Sequence, residues 1–166
     1  MNSGFAMKTV IRFRLNGDEQ ELAVEPNLTL LDLLRERLHV TSPKRSCEQG
    51  ECGACTVLLD GKAVNSCLTL GVSVNGRSVE TVESLGFANL HPLQKHFYQM
   101  AASQCGYCTP GMILAAKAFL DENPDPTAEE VKQGLSGNLC RCTGYVKPIQ
   151  AVLAAAKEMR EGAEHA

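Results

Sequence analysis

Residues Val10 to Leu15 alternate apolar with charged side chains, Asn16-Gly17 follows as a pair able to take positive φ, and Glu21 to Val24 returns. That pattern predicts a β-hairpin. Thr29 followed by Asp32 resembles a capping box, and Leu30, Leu31, Leu33, Leu34 and Leu38 then recur at helical spacing around Arg35, Glu36 and Arg37. One amphipathic helix is expected there. Thr56 to Leu59, Asp60-Gly61 and Lys62 to Val64 repeat the hairpin signal, and Val72 to Val82 holds further short strand-like runs. This half reads as sheet with one helix.

From about residue 84 the alternation stops, and Ala, Leu and Met recur in longer segments with proline starts. The change predicts two domains, 1–83 and 84–166, and an α+β fold. Pro92 opens a segment to about Ser103, Pro110 one to about Asp121, Thr127 with Glu130 caps one to about Leu135, and Pro148 opens one to about Arg160. Four helices are expected, with a tail frayed after Glu161. Residues 122–126, Glu-Asn-Pro-Asp-Pro, form a loop, because each proline disfavours helix in the residue before it. Short connections make neighbouring helices antiparallel, so the first and third loops of a four-helix bundle emerge at one end. Cys105 and Cys108 lie in the first of these loops, Cys140 and Cys142 in the third. Bundle topology alone should gather these four.

At 166 residues the chain can form one domain or two modules of about 80 residues each. Modules of that size often need a metal, a disulfide or a partner surface for stability. The net charge of -3 comes without a basic stripe interleaved with aromatics, which argues against nucleic acid as a partner. Apolar runs are far too short to span a bilayer, and the start Met-Asn-Ser-Gly-Phe-Ala-Met-Lys has no signal-like apolar region and no twin-arginine signal. A cytoplasmic location without membrane insertion is expected.

In such a reducing setting the eight cysteines point to metal rather than disulfides. Cys47, Cys52, Cys55 and then Cys67 have the C-x4-C-x2-C…C spacing of plant-type 2Fe-2S ferredoxins. Gly50 and Gly53 suit a loop that must wrap thiolates closely and turn its amides toward sulfide. Structural zinc is the competing reading, although its usual signature is two separated pairs. The second group, Cys105-Gly-Tyr-Cys108 with Cys140-Arg-Cys142, is less specific by spacing. Zinc competes on ligand count, and a thiol redox pair expects a βαβ context that this half lacks.

Three strings go further: Cys47-Glu-Gln-Gly-Glu-Cys-Gly-Ala-Cys-Thr-Val57, Gln104-Cys-Gly-Tyr-Cys-Thr-Pro-Gly-Met112 and Gly137-Asn-Leu-Cys-Arg-Cys-Thr-Gly-Tyr145. In order and spacing they resemble the iron-sulfur subunit of the molybdenum hydroxylases, the family of xanthine dehydrogenase, aldehyde oxidoreductase and carbon monoxide dehydrogenase. The resemblance implies a β-grasp ferredoxin domain followed by a four-helix-bundle iron-sulfur domain, each holding one 2Fe-2S cluster through the cysteines above. It also implies a large partner subunit with molybdopterin, in the cytosine dinucleotide form, and a medium subunit with FAD. The chain is then an electron relay between them, with the second cluster nearer the pterin, which Gln104 and Cys142 approach. No catalytic residue is expected in this chain. One departure is Ser46, where such chains often have glycine, and it bears on the hydrogen bonding and potential of the first cluster. A free-standing two-cluster ferredoxin shuttle is the alternative, and it leaves the helical domain and the pterin-facing positions without a purpose.

Other residues take plainer roles. His39, His91, His96 and His165 are not needed as Rieske-type ligands, since four cysteines complete each group, and are expected at the surface or as caps. Tyr107 and Tyr145 are expected to pack against cluster or bundle, and Met100, Met112 and Met159 to fill the core. Lys44-Arg45 reads as a solvated pair, with docking to an acidic surface as the sharper option.

Overall fold

The computed structural model describes residues 8–86 and 89–164. Strand β1 (Thr9–Leu15) pairs antiparallel with β2 (Asp18–Val24), in register from Thr9 opposite Val24 to Leu15 opposite Asp18. The turn works because Asn16 and Gly17 both adopt positive φ, 53° and 94°, which matches the twist of the flanking strands. Along β1 the residues Ile11, Phe13 and Leu15 are buried and those between are exposed, as the period of two requires. The second hairpin joins β3 (Thr56–Leu59) to β4 (Lys62–Asn65), and β5 (Ser78–Glu80) completes a mixed sheet in the order β2-β1-β5-β3-β4. Asn16 fastens the first turn to the end of β5: its side chain accepts from the Thr81 amide at 2.8 Å and donates to the Thr81 hydroxyl at 2.9 Å.

The expected amphipathic helix has a different form. After Thr29 caps Asp32 at 3.1 Å, α1 (Leu30–Asp32) makes one turn and then widens into a π-helical stretch over Leu33–Arg37, closed by the Leu38 amide on the Leu33 carbonyl. The leucines of the segment serve two neighbours. Leu30, Leu33 and Leu34 enter the core under the sheet, while Leu31 turns toward Cys55 and Cys67. Only part of the strand-like run from Val72 to Val82 is strand. Gly71–Val74 and Val82–Leu85 are 3-10 turns on either side of β5.

Four helices follow: α2 (Pro92–Gln99), α3 (Thr109–Glu122), α4 (Ala128–Gly134) and α5 (Val146–Glu164). Each packs on the next and α5 returns to α2, closing a ring around Leu93, Phe97, Met112, Val131 and Val152. Helix α2 stops earlier than its apolar spacing suggests, since Ala101 takes a left-handed φ of 49°. Helix α5 starts two residues before Pro148, where a missing amide costs nothing in the first turn, and runs on through Glu164 rather than fraying after Glu161. Among the described residues no helix is long and apolar enough to cross a membrane.

Helix α3 belongs to both halves. It packs against α2 and α4 and also against β3 and β4. All four residues of β3 are buried: Val57 and Leu59 face the sheet core, and α3 covers the opposite face with Thr56 and Leu58.

Candidate metal centres

All eight cysteines are free thiols. Cys47, Cys52 and Cys55 stand on an irregular loop whose shape is set by left-handed backbone at Glu48 (φ 56°), Gly50 (80°) and Gly53 (67°). Hydrogen bonds hold this loop from several sides. Asn65 donates to the Gly50 carbonyl at 2.9 Å, the Lys44 amide to the Ala54 carbonyl at 2.9 Å, and the Thr56 hydroxyl to the Gly53 carbonyl at 2.7 Å. Arg35 clamps the approach by donating to the carbonyls of Thr41 and Pro43. Cys67 arrives from the turn after β4, where the Ser66 hydroxyl donates to the Cys55 carbonyl at 2.7 Å.

The electrostatics of this loop favour anionic sulfur. The Gln49 amide reaches the Cys47 sulfur at 3.4 Å, and with the Cys52 thiol and the amides of Cys52 and Glu51 it brings the Cys47 thiol down to about 6. Successive amides turned on one sulfur make the kind of concavity that binds anions. Cys67 is the opposite case. Burial first, and then the Cys55 thiol, push it up to about 11, against an opposing Gly50 amide. A buried thiol of this kind becomes a thiolate once a cation supplies the charge that solvent cannot.

The second quartet forms at one end of the helical ring, as the loop argument anticipates. Burial and then the Cys140 thiol push Cys108 up to about 12, while Cys142 is raised by the Cys105 thiol. At Cys140 burial acts upward, but the Thr143 hydroxyl, the Thr143 and Cys142 amides and the Cys108 thiol outweigh it and bring the group to about 7. Tyr145 orders this loop: its phenol oxygen accepts from the Cys140 amide at 2.7 Å and its hydroxyl donates to the Asn138 carbonyl at 3.4 Å. A cavity of about 300 Å³ is lined by all four of these cysteines and also by Ser46 and Cys52 of the first loop.

Within each quartet the thiols perturb one another, most strongly Cys47 with Cys52, Cys55 with Cys67, Cys105 with Cys142 and Cys108 with Cys140, while Cys47 also acts on Cys67 and Cys105 on Cys108. Two pairs of thiols side by side suit a two-iron cluster, in which each iron takes two protein ligands. The all-thiol donor set, the amides turned on sulfur and the buried thiols lacking a compensating charge fit such clusters on both sites.

The two loops touch directly. The Leu139 amide donates to the Cys52 carbonyl at 2.9 Å, so the residue before Cys140 is hydrogen-bonded to a cysteine of the other quartet. Tyr107, between Cys105 and Cys108, donates to the Arg45 carbonyl. Tyr107 is therefore not packed against the bundle but 47% exposed, spanning the two loops. Arg45 is not simply solvated either, as it pairs with Asp32, Glu36 and Glu48. Gln104 and Cys142 are both exposed, and the Cys142 thiol lies against Cys105, the neighbour of Gln104. His91 caps α2 by accepting from the Leu93 amide, His96 bonds Glu158 at 2.9 Å and His39 is exposed, while His165 lies outside the described residues. Met112 is fully buried, with Met100 and Met159 packed on the same core. Sequence reasoning missed Asn138, buried at 5% exposure, because its partners lie more than eighty positions away in the chain.

Residues 13–81 match a family model described as a 2Fe-2S iron-sulfur cluster binding domain, and residues 81–153 one described as a 2Fe-2S binding domain. The chain is 51% identical over 148 residues to the nicotinate dehydrogenase small FeS subunit of Eubacterium barkeri, covering 87% of this chain and 93% of that one. It is 50% identical over 143 residues to the nicotine 6-hydroxylase small subunit of Paenarthrobacter nicotinovorans, covering 86% and 87%. Among solved structures, quinoline 2-oxidoreductase from Pseudomonas putida 86 superposes with a TM-score of 0.89 at 46% identity, covering 94% of this chain and 98% of the matched chain. With its paired thiols, its mixed sheet and its ring of helices, the chain belongs to the family of small iron-sulfur subunits of the molybdenum hydroxylases, the xanthine dehydrogenase family.

Proposed function

We propose that this chain relays electrons inside a molybdenum hydroxylase complex. Cys47, Cys52, Cys55 and Cys67 hold one 2Fe-2S cluster, and Cys105, Cys108, Cys140 and Cys142 hold the other. The observation that carries this reading is the pairing of thiols in two quartets whose loops share the hydrogen bond from Leu139 to Cys52. When bound, such a cluster takes up and gives back one electron at a time. The chain's own part is to supply thiolates, aim amides at sulfur and keep the two loops in contact. No substrate turnover by this chain alone is expected.

The relatives are small subunits by name, which supports larger partners. We assign the electron source to a molybdopterin subunit, with the pterin in the cytosine dinucleotide form, and the acceptor to a FAD-binding medium subunit. The pterin side is the corner where Cys105, Cys142 and Gln104 are exposed, with Gln104 and Cys142 nearest the pterin. The division into 1–83, a β-grasp ferredoxin-like domain, and 84–166, a four-helix-bundle domain, is supported by two hydrophobic cores and by family models that meet at residue 81. We also assign a cytoplasmic setting, where reducing conditions keep thiols available for clusters. Affinity isolation from the native source tests the subunit reading. Copurification of a molybdenum-bearing chain is expected, and isolation as a lone two-cluster protein under gentle conditions would make it a free shuttle.

A further inference from the structure

Between the quartets lies a seam built with unusual closeness. The Asn138 side chain, on the second cysteine loop two residues before Cys140, donates from Nδ2 to the Gly53 carbonyl at 2.9 Å and reaches the Thr56 hydroxyl at 3.3 Å. Gly53 stands between Cys52 and Cys55, so this amide spans from one cysteine loop into the middle of the other. Glycine at positions 53 and 111 leaves out the Cβ that would stand between the segments. A Cβ at Gly53 would collide with the Gly137 carbonyl and the Asn138 side chain, and one at Gly111, in the first turn of α3, would collide with the Gly53 carbonyl. The Gly53 carbonyl thus receives the Thr56 amide, the Thr56 hydroxyl and Asn138 while pressed on by α3. At its own end Asn138 is fixed by its amide on the Leu135 carbonyl and by Tyr145 on its carbonyl.

We infer that Asn138 is a positioning residue that sets the separation of the two clusters, by pinning the Cys140 loop to the Cys52–Cys55 loop and holding the Leu139 amide on the Cys52 carbonyl. The inference rests on the two-cluster reading above. Asn138 touches no thiol, so ligation does not depend on it. What depends on it is the register of one loop against the other, since the buried Asn138 amide finds the Gly53 carbonyl and the Thr56 hydroxyl as partners only in that register. Electron exchange between centres weakens steeply with separation, so a seam that cannot slide keeps that exchange constant.

The test uses the intact complex carrying Asn138→Asp, which keeps the shape but turns an acceptor oxygen toward the Gly53 carbonyl, and Gly111→Ala, which pushes on the same carbonyl from α3. In each, iron and sulfide content is measured beside the magnetic splitting between the two clusters in the fully reduced state and the rate of electron exchange between them. Full cluster content with a narrower splitting and slower exchange is the expected result in whichever variant assembles. Unchanged splitting and rate with both clusters present would overturn the role of Asn138. Loss of clusters from both variants would also overturn it, since Asn138 would then be needed for assembly rather than spacing. Failure of the wild-type complex to show two interacting clusters would instead remove the reading on which the inference rests.

Discussion

Gly53 and its neighbours show how much a single position can carry. Its φ of 67° is one that L-residues adopt at a cost, and its backbone is wedged between Thr56, Asn138 and the start of α3. The glycine's usefulness for close approach is legible in Cys47-Glu-Gln-Gly-Glu-Cys-Gly-Ala-Cys55, and so are the thiols. What it approaches is not legible, because Asn138 and Gly111 come from distant stretches of chain. Cys52 separates side-chain from backbone roles: its thiol pairs with Cys47, whereas its carbonyl holds the Leu139 amide. Serine keeps that carbonyl. Cys52→Ser is therefore expected to lose the first cluster, with bound iron falling to roughly half, while the second still assembles. Iron analysis and the spectrum of the remaining cluster check this, and loss of both signals together would show that the sites are not independent.

The elements divide by whether their signals are local. Both hairpins follow from alternation and from Asn-Gly and Asp-Gly turns with positive φ, and α4 follows from Thr127 and Glu130, which form a reciprocal cap. The π-helical turn at Leu33–Arg37 was hidden, since it follows from partners distant in the chain: Leu30, Leu33 and Leu34 pack under the sheet, while Leu31 in α1 meets Cys55 and Cys67. The cap of α2 was legible only as one of two roles expected for His91, surface or cap, as histidine is not among the favoured residues at that position. Nδ1 of His91 accepts from the Leu93 amide at 3.2 Å while the Gln94 side chain returns to the His91 amide at 3.1 Å. Burial first, and then Lys117, lower the His91 pKa below its ordinary 6.5, with Asp121 opposing. The unfolded chain therefore takes up the proton before the folded one. The stabilisation from the neutral cap is full above 6.5 and is lost as pH falls through that value toward the lower folded one. His91→Ala is expected to cost about 1 kcal/mol at neutral pH. His91→Ser should restore the cap and flatten the difference in melting temperature between about pH 8 and about pH 5. Equal pH dependence of wild type and His91→Ser would contradict the capping role.

At the scale of the whole molecule, α3 joins what the sequence divides. The change of pattern near residue 84 separates sheet from helices, but no periodicity reports that α3 covers the outer face of β3 or that the cysteine loops meet at Leu139 and Cys52. This contact joins the two cysteine loops, and Tyr107 and Leu139, which line one cavity with exposed Cys105 and Cys142, stay 47% and 55% exposed, while Val146, a short way past Cys142 in the chain, is 62% exposed. Such apolar side chains beside exposed ligand thiols suit a face that a larger subunit covers. Val146→Glu tests this cleanly, since an acidic residue in the first turn of α5 is favourable to the helix itself. Cluster content and melting temperature should hold while association with the molybdenum-bearing subunit weakens by roughly 1–2 kcal/mol, read by titration of the separated subunits. The pairing of thiols two by two is the feature on which the relay stands. Its most direct test is the metal and acid-labile sulfide content of the chain purified without oxygen. Iron and sulfide in equal amounts, about four of each per chain, are predicted. Zinc in place of iron, or iron without sulfide, would contradict the account.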